Sequence, residues 1–238
     1  MDNYYTQTRP RILDYCGGQS NNPKDWDCEF LVAGLDGDTR FRIMDNRYLD
    51  SILDQGADVY RSLWSRRGSL FFLDLEYTNA HDEEEIYRDG PDIFLNGIEP
   101  VYQRLCRRLD SFGVSYLTVM TATGYHFVFH VPFETKAHRA LEQLGHPCPS
   151  LLEQYARISA LSQRDRPVPG KCSRAFDALG RLAEYLSAEV ESGSELPVAA
   201  GKQYERQIIM DLSTYADPLH LRFIRCVGSY HQKSSTRY

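Results

Sequence analysis

The sequence predicts a mixed α+β fold (α+β or α/β) with substantial antiparallel pairing, and three observations carry that prediction. Short apolar runs of strand character recur along the 238 residues, and two of them are separated only by a tight turn at Thr123-Gly124. Stretches with helical apolar spacing lie between the runs, most clearly over 93–112. The resulting order is strands, helix, strand, helix, two strands, helices, two strands.

Residues 1–25 are polar and rich in Gly, Asn and Pro, which predicts irregular chain. Segments 28–35 and 41–45 read as strands around an Asp36-Gly37-Asp38 turn. Segment 48–64 has helical spacing, with Leu49, Ile52, Leu53, Val59, Tyr60 and Leu63 as core positions. A strand follows at 70–77, then an acidic loop at 78–91, then an amphipathic helix over 93–112 that stops at Gly113. Strands at 116–122 and 125–131 come next, and Pro132 ends the second. Segment 136–190 is mainly helical, interrupted at 164–170 by Pro167 and Pro169. Ser192-Gly193-Ser194 is a loop, and final strands fall at 207–212 and 221–227. No internal repeat or low-complexity segment is present.

Composition narrows the function classes. The apolar (42%) and charged (25%) fractions are those of an ordinary globular chain. No apolar run approaches membrane-spanning length, so no membrane partner is expected, and the first residues lack the pattern of a secretory signal. A cytoplasmic location is the expectation. Cys16, Cys28, Cys106, Cys148, Cys172 and Cys226 are scattered without a CxxC pair, which argues against a disulfide framework. A net charge of −6 excludes a globally basic nucleic-acid binder. Charge is nonetheless segregated: residues 82–85 are Asp-Glu-Glu-Glu, whereas Arg222, Arg225, Lys233 and Arg237 lie in a stretch with no acid from 222 to the end. That tail is either a phosphate-facing patch or a solvated end.

The segment Phe71-Phe72-Leu73-Asp74-Leu75-Glu76 carries the most chemical information. Side chains two apart leave a strand on the same face, so Asp74 and Glu76 would project together from an apolar segment. Side-by-side carboxylates repel unless a cation lies between them. A divalent metal site is one reading, and an edge strand with a solvated acidic face is the other. Two more features lie downstream: His126 follows the Thr123-Gly124 turn at the start of a strand, and Asp211 is an acid at the end of the apolar run 207–212.

Taken in order, these motifs resemble the archaeo-eukaryotic primase superfamily, the primase-polymerases. Its members show a strand with hhhDh(D/E), then a small-Gly-x-His strand, then a strand ending in hD. Here they correspond to Phe71–Glu76, Thr123-Gly124-Tyr125-His126 and Met210-Asp211, followed by a segment, 224–233, similar to IRLPGSLHGK at its Ile, Arg, Gly, Ser, His and Lys positions. The resemblance spans roughly 70–233. It implies a primase-like catalytic core with an RRM-like mixed or antiparallel sheet flanked by helices, plus a helical insert. Residues 1–238 would form one catalytic domain, with an N-terminal α/β module to about residue 115 and an RRM-like module with the insert over about 116–238. The chain stops five residues after Lys233, where family cores commonly continue, so a fragment of a longer protein is expected.

By the resemblance, Asp74, Glu76 and Asp211 hold two Mg²⁺ or Mn²⁺ ions for nucleotidyl transfer during DNA replication; Asp217 is a weaker fourth acid. Thr123, Gly124, His126, Arg225, Ser229, His231 and Lys233 contact the nucleotide, with Arg222 a weaker candidate. The implied partners are a single-stranded DNA template, a primer strand, dNTP or NTP, and a replicative helicase; the implied setting is the nucleoid or a mobile element. The segment lacks the arginines that many primases carry before the motif histidine, which places more weight on the C-terminal cations. Family members often insert a zinc module between the second and third motifs, and His138, His146, Cys148 and Cys172 lie there, enough for a tetrahedral Zn²⁺ site. Two alternatives compete. A rolling-circle initiator endonuclease would use strand histidines and a tyrosine nucleophile, but His126 and His130 are spaced i, i+4 where that chemistry uses His-x-His. A non-catalytic RRM-like nucleic-acid-binding module leaves the three aligned acids unexplained.

Overall fold

The structure is a computed structural model that describes residues 4–18, 22–34, 41–156, 168–190 and 194–230. The sequence-predicted breaks at 36–38, 164–167 and 192–193 lie outside them. In chain order the elements are α1 (Tyr4–Tyr15), β1 (Leu31–Gly34), β2 (Phe41–Met44), α2 (Leu49–Asp54), β3 (Asp58–Ser62), β4 (Gly68–Asn79) and the short turns α3 (Glu85–Arg88) and α4 (Gly90–Asp92). A π-helical stretch, Ile93–Ile98, leads into α5 (Glu99–Ser111). Then follow β5 (Leu117–Met120), β6 (Gly124–Pro132), α6 (Lys136–Leu144), α7 (Pro149–Ala156), α8 (Gly170–Val190), β7 (Val198–Ala199), β8 (Arg206–Asp211) and β9 (Phe223–Arg225). The fold is mixed α+β, as the sequence predicts, and its strands form two sheets.

The chain divides into two compact units that interleave in sequence. The first comprises Met1–Ser69, Cys148–Ser173 and Asp217–Tyr238; the second comprises Leu70–Pro147 and Arg174–Ala216. The expected division near residue 115 therefore falls inside the second unit. Compactness follows strand pairing between distant segments, and chain order does not reveal it.

In the first unit the sheet runs β2-β1-β3-β9, with every neighbouring pair antiparallel. Leu31, Ala33, Val59 and Cys226 pack on one side with Ile12 of α1 and Leu49, Ile52 and Leu53 of α2. Two sequence expectations fail here. The polar N-terminus is helical because Tyr5 and Ile12, seven residues apart, are both buried, and the Tyr5 hydroxyl donates to the Ala57 carbonyl at 2.6 Å. Segment 48–64 is a helix only to Asp54. Gly56 then takes φ 65°, a left-handed value that ends the helix, and Asp58–Ser62 is a fully buried strand.

In the second unit the sheet runs β5-β6-β4-β8-β7; β5–β6 and β4–β8 are antiparallel and β7–β8 parallel. One face is the core. Phe71, Leu73, Leu75 and Tyr77 of β4, Phe127 and Phe129 of β6, and Ile208 and Met210 of β8 pack with Val101, Leu105 and Leu109 of α5 and Leu179, Ala183, Leu186 and Val190 of α8. The helical residues recur every three or four positions, so each helix presents one apolar stripe. Phe71 and Phe129 stack at 4.4 Å across adjacent strands. Each such buried side chain contributes about 1.5–3 kcal/mol, and together they hold β4, β6 and β8 in register.

Candidate functional site

The core pattern of β4 dictates where its acids go. Residues 71, 73, 75 and 77 enter the core, so Asp74 and Glu76 leave the sheet on its other face. The antiparallel register pairs Leu75 with Met210 and Tyr77 with Ile208 on the core face. On the opposite face it sets Asp74 directly across from Asp211, and Glu76 across from Ile209. Directly opposed residues have Cβ atoms about 4.5–5.5 Å apart. Strand β6 alternates in the same way: Phe127 and Phe129 enter the core and His126 emerges on the acidic face. Its Nε2 lies 3.5 Å from Asp74 Oδ2, and its ring meets Phe72 edge-on at 5.0 Å. The side chains of His126 and Asp74 keep 14% and 24% exposure, so both remain reachable from solvent.

Opposed carboxylates repel, and each needs a compensating donor. His126 stands beside Asp74. Asp211 Oδ1 accepts the Ser213 backbone N–H at 2.8 Å, and its Oδ2 accepts the Ser213 hydroxyl at 3.0 Å. Among the described residues no group of three or more His, Cys, Asp or Glu side chains is disposed to hold a metal ion. The fit to Mg²⁺ or Mn²⁺ would lie instead in donor chemistry and register: three hard carboxylates share one face of two paired strands.

The Thr123-Gly124 turn has a structural explanation. The Thr123 carbonyl accepts the Tyr77 N–H at 2.8 Å, and Thr121 N–H donates to the Gly124 carbonyl at 2.8 Å. A Cβ on Gly124 would overlap the Leu75 carbonyl oxygen, so the missing side chain lets β6 approach β4.

The expected C-terminal contacts belong to the first unit. Arg225 donates to the Tyr60 hydroxyl at 2.7 Å and to Asp58 Oδ2 at 3.4 Å, and its guanidinium lies 5.0 Å from the centre of the Tyr60 ring. The Ser229 hydroxyl accepts the Val59 N–H at 2.6 Å and donates to the Tyr230 carbonyl at 3.2 Å, which ties the tail to β3. Arg222 pairs with Asp217 at 2.6 Å. His231 and Lys233 lie outside the described residues.

Among the described residues, no three of His138, His146, Cys148 and Cys172 are disposed around a common ion. His138 is buried in the first turn of α6, where its backbone N–H donates to the capping Thr135 hydroxyl at 3.1 Å and its Nδ1 lies 2.8 Å from Glu142. The His146 N–H donates to Asp177 at 2.8 Å. Cys148 is exposed at the start of α7, where a hydrogen bond with Ser150 and nearby backbone N–H groups lower its pKa. Cys172 is buried in α8.

Sequence reasoning missed Ser213 and Tyr215. Ser213 was legible, since a serine two residues after an aspartate suits a local side-chain-to-backbone turn. Tyr215 carries no local signal. Its hydroxyl accepts the Phe72 N–H at 3.0 Å and donates to the Phe72 carbonyl at 2.8 Å, and burial pushes its pKa up.

No protein-family description matches the chain, and no curated protein matches it. Among solved structures, the polymerase domain of Mycobacterium tuberculosis Ligase D, in complex with DNA, is similar to this chain with a TM-score of 0.48 and 12% identity, over 94% of this chain and 72% of that one.

Proposed function

We propose that the acidic face of the second unit is a two-metal nucleotidyl-transfer site, and that the chain is a DNA primase or polymerase that makes or extends primers on single-stranded DNA. One observation carries the reading: the register sets Asp74 across from Asp211, with Glu76 two residues along the same face. A core does not require three acids there, and their mutual repulsion opposes folding unless cationic charge is recruited.

Asp74, Glu76 and Asp211 would hold Mg²⁺ or Mn²⁺. When bound, such ions lower the pKa of an attacking 3′-hydroxyl and neutralise charge on the transferring phosphoryl group and on the pyrophosphate. The chain's own contribution is positioning. The β4–β8 ladder fixes the spacing of the carboxylates. His126, beside Asp74 and reachable from solvent, is placed to donate to a phosphate or sugar oxygen of the incoming dNTP or NTP. Arg225, His231 and Lys233, which belong to the first unit, are proposed as contacts to the template strand.

The test is extension of a primed DNA template with dNTPs or NTPs and Mn²⁺ or Mg²⁺. Wild type extends the primer, and Asp74→Asn, which preserves side-chain size while removing the charge, abolishes extension. A wild-type protein that binds no nucleotide and instead nicks single-stranded DNA through a covalent tyrosine adduct overturns the proposal.

A further inference from the structure

We propose that Tyr215 is a positioning residue for the carboxylate pair: its hydroxyl replaces a missing strand residue opposite Phe72 and holds β4 where Asp74 faces Asp211. The inference rests on the metal-site reading above and extends it to a residue outside the acid set.

The argument starts from the register. The pairs run from Asn79↔Arg206 to Asp74↔Asp211, where β8 ends. Continued by two residues, the ladder would set Ser213 opposite Phe72. The chain instead turns into a 3₁₀ helix over Ser213–Ala216, so the Phe72 N–H and carbonyl lose their strand partner. A buried backbone pair left unsatisfied is costly. The Tyr215 hydroxyl satisfies both groups at once, accepting from Phe72 N–H at 3.0 Å and donating to the Phe72 carbonyl at 2.8 Å. The ring is set by Phe176 of α8, with centroids 4.9 Å apart. The same turn brings Ser213 onto both oxygens of Asp211. Residues 211–215 thus form one device: Ser213 orients the Asp211 carboxylate, and Tyr215 anchors the strand two residues before Asp74. Such supports act through the ligands they orient, so their loss shows first in metal affinity.

The experiment compares full-length wild type, Tyr215→Phe and Leu186→Ala. Mn²⁺ affinity is measured by electron paramagnetic resonance without nucleotide, and exchange of the Phe72 amide by NMR. Tyr215→Phe keeps the ring and removes the hydroxyl. It is expected to retain its circular dichroism spectrum, to weaken Mn²⁺ binding by about tenfold, and to speed Phe72 exchange. Leu186→Ala loosens the core of the same unit without touching the hydroxyl, and is expected to keep Mn²⁺ affinity. Unchanged affinity in Tyr215→Phe, or an equal loss in Leu186→Ala, overturns the role of Tyr215 while leaving the metal site standing. A wild type that binds no Mn²⁺ overturns the metal-site reading itself.

Discussion

At the scale of the residue, the acids were legible because strand periodicity is local. Alternation around Asp74 and Glu76 could be read from six consecutive letters, and the apolar run before Asp211 marked it in the same way. What joins Asp74 to Asp211 was not legible: their pairing is set by the burial of Leu75 against Met210 and Tyr77 against Ile208, contacts between segments more than a hundred residues apart. His220 illustrates the same gap. It is buried beside Tyr155, its Nδ1 has no hydrogen-bond partner, and burial lowers its pKa below the ordinary histidine value. Burial therefore favours its neutral form in the folded chain. As pH falls through the unfolded-state value of about 6.5, the unfolded chain takes up a proton that the folded one refuses. Stability is accordingly lost as pH falls, down to the depressed folded pKa. His220→Leu should flatten that slope. Denaturant unfolding at about pH 7.5 and about pH 5.5 checks it: wild type loses more stability than the variant across the interval, and equal losses rule His220 out as a source of the slope.

At the scale of the element, most strands and the long helices were readable, and the failures share a cause. Helix α1 has two buried apolar residues, too few to show a period against its polar background. The sequence pattern extends a helix over β3 because Val59 and Tyr60 continue the spacing begun at Leu49. The strand is buried on both faces, Val59 in one cluster and Tyr60 in another, so alternation disappears. Strand β7, two residues long, gave no signal. The Thr123-Gly124 turn before β6 is legible in the sequence, yet the reason for its glycine lies on a neighbouring strand. Gly124→Ala forces a Cβ into the Leu75 carbonyl, a backbone group that cannot rotate aside. Overpacking of this kind costs about 1–3 kcal/mol. Because Leu75 precedes Glu76 and His126 follows Gly124 by two residues, the shift displaces both sides of the acidic face. The expected result is a lower midpoint in chemical denaturation, with weaker Mn²⁺ binding by the fraction that remains folded. A variant as stable as wild type would mean that the two strands separate at no cost.

At the scale of the whole molecule, the two units interleave, so no cut in the sequence separates them, and a boundary sought in composition could not have found the division. Charge is distributed on the same scale. A net charge of −6 repels nucleic acid at long range, so the proposed binding to single-stranded DNA would rest on local cations. The acid-free C-terminal stretch carries four. Two of them, Arg222 and Arg225, are paired with Asp217 and Asp58, which diminishes what they can offer a phosphate. Lys233 and Arg237 are the other two. Each cation that neutralises a phosphate on a single strand contributes about 0.7 to the slope of log K against log salt. Replacing both with glutamine should therefore weaken binding to an unstructured oligonucleotide at low salt and make the slope shallower by about 1.4, while Mn²⁺ affinity at the distant-in-sequence acids stays as in wild type. Fluorescence anisotropy across a salt series reads both quantities. Parallel slopes for wild type and the double variant would remove Lys233 and Arg237 from the DNA-binding surface and shift attention to the chain's other cations.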